Sequence, residues 1–591
     1  MKKLFFLGAL FAVGLGFTAC SSDKDEVADN SPSREGDGYI SLAINLPSTS
    51  TLTRAANDNF DDGLKEEYAV SDVSIVLFNG NTSSSTVQAV YTPTLSWNKE
   101  GTSTDQITTV AKLIQSVTYS STSYYALVIL NKPTGLTISV GDTWSTVQAK
   151  TLTTTVSTAN AALVQGTMMM ANAPLADDDG GTNNPSSANV STLVEIPSSK
   201  IFATEAEARS DANPVEVYVE RVAAKVTIAN ASGTTTTGSL AWSLAGWMLD
   251  NTNPTSYAIR NTDGMTTFFP LSSNLIVSSG NIVSGANEYR FVGSAPVRTG
   301  KSLYRTYWAK DPNYDDNVTL LDFTGTSFST SYGETNPKYC FENTFDVAHQ
   351  THHNTTRVVV QVEFNSGSDC FTVNGDAASV YTSKNDMETA VKAFVLGNAD
   401  MADLIGTAGN IDITNANYIA NGNKVGASNI TLTWTSEANA GTWTLSDIAF
   451  DCLTSAGTTA YNASTFKSDL IDAINSAAVV SCYKDGISYY PIRIKHFGDD
   501  LTPWSAADHR TATHSYEDEG TSPTSRYLGR YGVLRNNWYH LNITSISQIG
   551  SPTCPAVPGI SEDVPDDQVY SYIAVKINVL SWAKRTQDVT L

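Results

Sequence analysis

Two stretches of nearly the same sequence lie at opposite ends of the chain: YISLAINL at residues 39–46 and YIAVKINV at residues 572–579. Aligned without a gap, they are identical at four of eight positions, and the aliphatic positions match in character. Both stretches alternate apolar residues with small or polar ones, which is the pattern of a strand that is half buried in a hydrophobic core. The sequence therefore predicts two strands suited to the same place in a fold.

The composition predicts a mostly-β extracellular protein. The chain has 591 residues, of which 41% are hydrophobic and only 16% are charged. That length is enough for two or more domains with cores of their own. The polar remainder is rich in Thr, Ser and Asn, and β-branched residues favour pleated strands. The net charge of −23 and the lack of a Lys/Arg cluster argue against nucleic acid as a partner.

The first residues, MKKLFFLGALFAVGLGFTAC, predict a lipoprotein signal peptide at residues 1–19. Lys2 and Lys3 precede an apolar run that is too short to span a membrane as a helix. The order resembles bacterial lipoprotein signals, in which the cysteine, here Cys20, becomes the lipidated first residue. Those signals usually have Leu three positions before the cysteine, where this chain has Phe17. The polar stretch after Cys20 is typical of a flexible tether.

Strand patterns recur along the rest of the chain. Further strands are predicted at residues 68–81, 124–133, 215–233, 355–365, 429–434, 489–497 and 538–549, and helices near 383–396 and 464–478. A Gly/Thr-rich stretch, SGTTTTGS, follows the 215–233 pattern and suggests a domain boundary. The sequence thus predicts two β-sandwiches with helical insertions, at residues 55–233 and 234–565.

Metal sites are not favoured. His349, His352 and His353 lie in DVAHQTHHN, which is more typical of an exposed loop than of a metal site, and DDDGG at 177–181 lacks the spaced acids of a calcium loop. The methionines at 168–170 are expected to fill the core. No nucleophile, phosphate-loop or dinucleotide motif is present in the sequence. We therefore expect neither an enzyme nor a cofactor.

Five cysteines remain after Cys20, none in a CxxC pair. Two disulfides are possible in an oxidising compartment, with at least one thiol left over, and the spacing does not give the connectivity. The five are Cys340, Cys370, Cys452, Cys482 and Cys554.

Several segments together resemble the fimbrillin family, the subunits of type V fimbriae in Bacteroidia, with the shaft subunits of the short (minor) fimbriae as the nearest group. The resemblance runs from the lipoprotein signal to the last residue. RNNWYHLNI at 535–543 and the terminal WAKRTQDVTL are its more specific parts. The other segments are VSDVSIVLFNGN, VERVAAKVTI and YCFENTFDVAHQTHHNTTRVVVQVEF.

The resemblance implies a fold of two transthyretin-like β-sandwich domains in tandem and a route of assembly. The precursor is a lipoprotein, with a lipid such as palmitate, held at the outer membrane. A trypsin-like protease cuts after an arginine beyond the first strand, here between Arg54 and Ala55, so that residues 20–54 form a propeptide. The C-terminal segment 566–591 of one subunit then fills the groove that opens in another. The displaced strand would present Ile40, Leu42, Ile44 and Leu46; the donor strand would present Ile573, Val575, Ile577, Val579 and Trp582.

The leading hypothesis is therefore a polymerising subunit of a surface fimbrium that supports adhesion and virulence. Its partners would be copies of itself, related subunits, the processing protease and a receptor on a host or bacterial surface. A monomeric, lipid-anchored surface protein that binds glycans is an alternative. A further alternative is an accessory anchor or tip subunit of the same fimbria. An anchor should keep its first strand, so an arginine placed after that strand favours a polymerising subunit.

Overall fold

The computed structural model describes part of the chain. The described residues are 37–45, 59–60, 64, 67, 69–93, 111–118, 123–153, 168–178, 185–262, 275–277, 281–283, 291–292, 303–306, 309–314, 328–345, 351, 354–376, 379–397, 426–435, 437–463, 465–494, 496, 531–554, 573–580 and 583–584. The backbone alone is described for residues 37, 45, 59–60, 111–118, 176–178, 185–189, 275–277, 281–283, 291–292, 303–306, 573–580 and 583–584.

The mostly-β prediction is confirmed, because strands dominate the described residues. The first strands are β1 (Asp37–Asn45), β2 (Asn59–Phe60), β3 (Val73–Phe78), β4 (Val87–Tyr91), β5 (Ala111–Thr118), β6 (Tyr124–Leu130), β7 (Thr151–Thr153), β8 (Met170–Asn172), β9 (Leu175–Asp178), β10 (Pro185–Ser191), β11 (Val194–Ile196), β12 (Val215–Arg221) and β13 (Ala223–Ile228). The next are β14 (Ser232–Thr234), β15 (Ala241–Asp250), β16 (Thr255–Tyr257), β17 (Leu275–Val277), β18 (Asn281–Val283), β19 (Phe291–Val292), β20 (Leu303–Thr306), β21 (Lys338–Phe341) and β22 (Arg357–Phe364). The last are β23 (Cys370–Val373), β24 (Ile430–Trp434), β25 (Gly441–Trp443), β26 (Leu445–Phe450), β27 (Val480–Tyr483), β28 (Ile487–Arg493), β29 (Trp538–Ile546), β30 (Ile573–Leu580) and β31 (Ala583–Lys584). The helices are α1 (Trp144–Gln148), α2 (Glu205–Arg209), α3 (Lys384–Gly397), α4 (Ser455–Ala463) and α5 (Phe466–Ala477).

One large sheet organises the first part of the chain. Its strands follow the order β4-β3-β6-β8-β12-β1-β5, with β11 paired to β6. Aliphatic side chains of β1 and β12 share one buried cluster with those of β3 and β6. The opposite face of β3 and β6 packs against α1, where Phe78 meets Trp144 edge to face with ring centroids 5.5 Å apart. As a result, β1 is an interior strand of a well-filled core.

Two four-stranded sheets form a sandwich in the second part. Their orders are β21-β13-β29-β30 and β14-β15-β22-β28, and one apolar cluster lies between them. The pairings β21-β13-β29-β30 run antiparallel, parallel, antiparallel. The pairings β8-β12-β1-β5 follow the same pattern. Thus β29 holds in the second part the place that β1 holds in the first. The mostly-β fold is established here, and the finer transthyretin-like description stays a prediction.

An inserted unit interrupts the second sandwich between β22 and β28. Strands β23 to β27 and helices α3, α4 and α5 surround a hydrophobic cluster of their own. The helices predicted near 383–396 and 464–478 are confirmed as α3 and α5. Helix α4 was not predicted, because SAGTTAYNA contains Gly, Ser and Thr, which are weak helix formers.

The strands predicted from alternation are confirmed, most of them with shorter ends, whereas β28 begins at Ile487, two residues before the predicted 489–497. The pattern at 215–233 is two strands, because Val222 separates β12 from β13 and each joins a different sheet. The methionines at 168–170 are buried, as expected. Within the described ranges, no helix is long and apolar enough to cross a membrane.

Candidate functional site: the slot of the first strand

The first of the two similar stretches forms the interior strand β1. It runs parallel to β12, with Leu42 opposite Val215 and Ile44 opposite Val217. On its other side it runs antiparallel to β5 along most of its length. The predicted strand is confirmed, and β1 has a paired strand on both sides. Its removal would leave a slot with an open backbone edge on each wall.

The core-facing side of β1 is fully buried. Ile40, Leu42 and Ile44 are at most 1% exposed and lie in one cluster with aliphatic side chains of β3, β6 and β12. Each such side chain contributes about 1.5–3 kcal/mol on burial. The three together contribute up to about 5–9 kcal/mol, an upper estimate because unfolded chains already bury part of their surface. Leu46, the fourth predicted residue of this face, lies outside the described residues.

The opposite side of β1 is also buried, so the predicted half-buried strand is wrong in this respect. Ser41 is 2% exposed and Ala43 is 3% exposed. Helix α2 packs against both β1 and β5, and its Ala208 is fully buried. Phe202 exchanges two backbone hydrogen bonds with Tyr39, each 2.7 Å from nitrogen to oxygen. We call residues 197–213 the outer cover.

The outer cover is tied together by its own polar contacts. Thr204 and Glu207 cap the start of α2 reciprocally, each side chain accepting from the other residue's backbone N–H. The Lys200 ammonium lies 3.0 Å from the Asp211 carboxylate and donates to the Asn213 carbonyl at 2.7 Å. A capping box of this kind stabilises a short helix that would be marginal alone. The outer cover is thus a built element that closes over β1.

The second similar stretch forms β30, which lies in its own subunit's second sandwich. It pairs antiparallel with β29 from Ile573 opposite Ile546 to Leu580 opposite Trp538. Within the described residues, β30 has a strand partner on one side only. It is therefore an edge strand, whereas β1 is an interior one. Its side chains, and Trp582 as a whole, lie outside the described residues.

The two ends of the chain also meet through a short ladder. Asn59 pairs with Lys584 and Phe60 pairs with Ala583, antiparallel. Strand β2 lies a few residues after the predicted cleavage site, so this ladder joins that region to the predicted donor segment. The other predicted processing residues, Cys20, Arg54 and Ala55, lie outside the described residues.

A buried ion pair fixes the chain shortly after β2. Glu67 and Lys225 are both fully buried, with 2.9 Å between the carboxylate and the ammonium. The Tyr339 hydroxyl also donates to Glu67, and the Lys225 ammonium lies over the Trp538 ring at 3.8 Å from its centroid. Burial alone would raise the pKa of Glu67, but Lys225 and Tyr339 hold it below its ordinary value. This pair was missed from the sequence, because Lys and Glu are rarely buried.

The motif RNNWYHLNI is the second half of this buried network. Arg535 is 1% exposed and donates to the Glu342 carboxylate at 2.8 Å and to the Ser256 hydroxyl at 2.9 Å. Burial would raise the pKa of Glu342, and the charges of Arg535 and Arg260 hold it below its ordinary value. The motif therefore joins β29 to segments far away in the sequence.

The remaining sequence candidates do not form a site in the described residues. None of the five later cysteines forms a disulfide, and four of them are buried, so neither possible disulfide is formed. Residues 177–178 belong to β9, and the rest of DDDGG lies outside the described ranges, as do His349, His352 and His353. No group of three or more His, Cys, Asp or Glu that could hold a metal occurs among the described residues.

Residues 481–588 match a family model described as the C-terminal part of fimbrillin, major fimbrial subunit protein type IV. The predicted resemblance to the fimbrillin family is confirmed over this C-terminal region. The matched region contains β28 to β31, and with them the motif at 535–543 and the C-terminal strand. The match supports a structural subunit of a fimbria.

Solved structures of three bacterial proteins give weaker likenesses to this chain. A fimbrilin from Porphyromonas gingivalis W83 is 13% identical, with 93% of this chain and 98% of that chain covered and a TM-score of 0.34. A protein named as a cell adhesion candidate from Parabacteroides distasonis ATCC 8503 is 11% identical, with 92% and 97% covered and a TM-score of 0.36. A fimbrial assembly protein from the same strain is 11% identical over 56% of this chain and 100% of that chain, with a TM-score of 0.23. No curated protein sequence matches the chain. The family assignment therefore rests on the family model.

Proposed function

We propose that this protein is a polymerising fimbrial shaft subunit whose β1 is a removable placeholder for the C-terminal strand of a neighbouring subunit. The observation that carries the proposal is the position of β1. It lies inside a sheet, paired on both sides, with three aliphatic residues in a core. A strand whose sequence repeats its pattern lies at a sheet edge at the other end of the chain.

The difference between the two positions gives the exchange a direction. In its own subunit, β30 forms backbone hydrogen bonds with β29 alone among the described strands. In the slot of another subunit, the same strand would pair with both β12 and β5. Backbone pairing of an added strand supplies affinity, and alternate side chains supply specificity. An edge strand that becomes an interior strand gains a second ladder.

Cleavage after Arg54 would separate β1 from the rest of the subunit without loosening the rest. The Glu67–Lys225 pair holds the chain to β13 a short distance beyond the proposed cut. Residues 1–54 carry five Lys/Arg and six Asp/Glu, so the processed chain has 31 basic and 53 acidic residues and a net charge of −22. Since the charge hardly changes, processing would act through release of the strand.

Lipidation at Cys20 would carry the precursor to the outer membrane before processing, and the finished fibre would support adhesion at the cell surface. The test is the N-terminal sequence of fibres collected from cells. Ala55 as the first residue is the expected result. A lipidated Cys20 in the fibre would mean that β1 stays in place, and would favour an anchor subunit or a monomeric surface protein.

A further inference from the structure

The outer side of β1 contains a polar group that the fold does not satisfy. The Ser41 hydroxyl is buried and has no hydrogen-bond partner in the described part of the chain. The buried Ser488 differs: its hydroxyl accepts from the Gly550 N–H at 2.9 Å and lies 3.3 Å from the Ser551 carbonyl. A hydroxyl taken out of water without a partner is costly. Position 41 is therefore a local defect in an otherwise well-packed strand.

The defect lies in the strand that leaves, and the arriving strand lacks it. In the gapless alignment of YISLAINL with YIAVKINV, Ser41 corresponds to Ala574. The methyl side chain of alanine needs no hydrogen-bond partner, and it is smaller than the side chain of serine. The outer cover, which closes over this side of β1, can therefore close over the arriving strand at this position without a penalty.

Position 43, the other position of β1 that faces the outer cover, does not clearly favour either strand. Ala43 corresponds to Lys576, and its register neighbours are Glu216 on β12 and Lys112 on β5. Glu216 is half-buried and accepts from the Tyr218 hydroxyl at 3.1 Å. A lysine here would lie beside the Glu216 carboxylate, with its stem along the sheet. Ala43 is 3% exposed, so a lysine at this position also has to displace part of the outer cover or lose water from its ammonium. The attraction to Glu216 and this burial cost oppose each other, so position 41 is the outer-face difference with a definite sign.

We propose that Ser41 is a specificity-determining residue of strand exchange: it weakens the hold of the slot on the placeholder strand relative to the donor strand, which carries Ala574. The proposal rests on the proposed function, since it takes the C-terminal strand of a second copy as the occupant of the slot. A buried hydroxyl without a partner shifts such an equilibrium by roughly fivefold to 150-fold. The outer cover thereby binds the donor strand more favourably than the placeholder strand at this position.

The first test concerns the precursor alone. Ser41→Ala should raise the midpoint of its denaturant-induced unfolding, because a penalty is removed. Ser488→Ala should lower the midpoint, because it leaves the Gly550 N–H without its acceptor. A Ser41→Ala precursor that is less stable than the wild type would show that the hydroxyl has a partner, and would overturn the proposal.

The second test follows polymerisation of full-length precursor after proteolytic removal of residues 1–54. Ser41→Ala should slow polymerisation by roughly fivefold or more, while its fibres dissolve at the same denaturant concentration as wild-type fibres, because residue 41 has left. Ala574→Ser should give fibres that dissolve at a lower concentration. If wild-type protein polymerises and neither variant differs from it, the proposal is wrong although strand exchange stands. If wild-type protein loses residues 1–54 and does not polymerise, strand exchange itself fails.

Discussion

Leu42 of β1 should contribute to the stability of the precursor and not to the stability of the fibre. Leu42 is fully buried and shares its cluster with Leu77 of β3, which is 1% exposed. Replacement of a buried leucine by alanine costs about 2–5 kcal/mol, and tightly packed sites lie at the upper end. Leu42→Ala and Leu77→Ala should therefore destabilise the precursor to a similar degree, because both remove the same side chain from the same core.

The two variants should differ in the stability of the fibres that they form. If β1 leaves and the C-terminal strand of a neighbour takes its place, residue 42 is absent from the fibre, whereas Leu77 remains in the groove. Fibres from Leu42→Ala precursor should then dissolve at the wild-type concentration of guanidinium chloride, and fibres from Leu77→Ala precursor at a clearly lower one. The precursors are compared by urea unfolding followed by tryptophan fluorescence, and the fibres by the release of monomer. Equal weakening of both kinds of fibre would refute the reasoning, because it would place β1 in the fibre.

Further outcomes follow from the same account. Arg54→Ala should leave unpolymerised precursor, whereas Arg34→Ala, which lies before β1, should polymerise normally; fibres from the Arg54 variant would rule out this site. Cys20→Ser should keep fibres off the cell surface, as judged by electron microscopy of whole cells, unless export does not use the lipid. Ile577→Asp should give a folded, processed monomer in gel filtration, because an unpaired carboxylate in a core is costly. If the variant polymerises as the wild type does, this strand is not the donor. Glu67→Gln should destabilise the precursor by about 3–5 kcal/mol near neutral pH. The difference in stability between the variant and the wild type should shrink as the pH falls below the ordinary glutamate pKa of 4.5. The reason is that a carboxylate with a lowered pKa contributes stability above that value and loses it in acid. A difference that stays constant down to acid pH would mean that the ionised form of Glu67 is not what stabilises the fold.

The alternation of apolar residues was sufficient to predict the inner side of β1 and most other strands. The hydrophobic period fixes which residues face a core, but not which strand lies alongside. Sequence therefore could not show that β1 runs parallel to β12, or that α2 closes over Ser41. The helix is short, and EAEAR has no apolar face that would indicate a buried position. Position 41 looks solvated in the sequence because serine usually is.

The buried charges were out of reach for a similar reason. Lys225 lies within VERVAAKVTI, where an alternating pattern with a charged residue normally indicates a solvent face. In the fold, Glu67 and Trp538 converge on it from distant parts of the chain. RNNWYHLNI was recognised as a family motif from its letters, and the structure supplies the reason: Arg535 joins β29 to Glu342 and to the segment around Ser256.

The most direct measurement is a crosslink between the slot and the C-terminal strand. Glu216 of β12 lies opposite Ala43, the position that Lys576 would take, so Glu216→Cys and Lys576→Cys should become neighbours between subunits. Cys554, the half-buried native thiol, is replaced by serine to remove a competing site. Ile577→Cys in place of Lys576→Cys is the matched control, because its side chain would point to the other side of the strand. After cleavage, Glu216→Cys/Lys576→Cys protein should give a ladder of covalent multimers on a denaturing gel. The ladder should disappear when a thiol reductant is added, and uncleaved protein should give none. Processed fibres that show no ladder, or a crosslink confined to single chains, would contradict it.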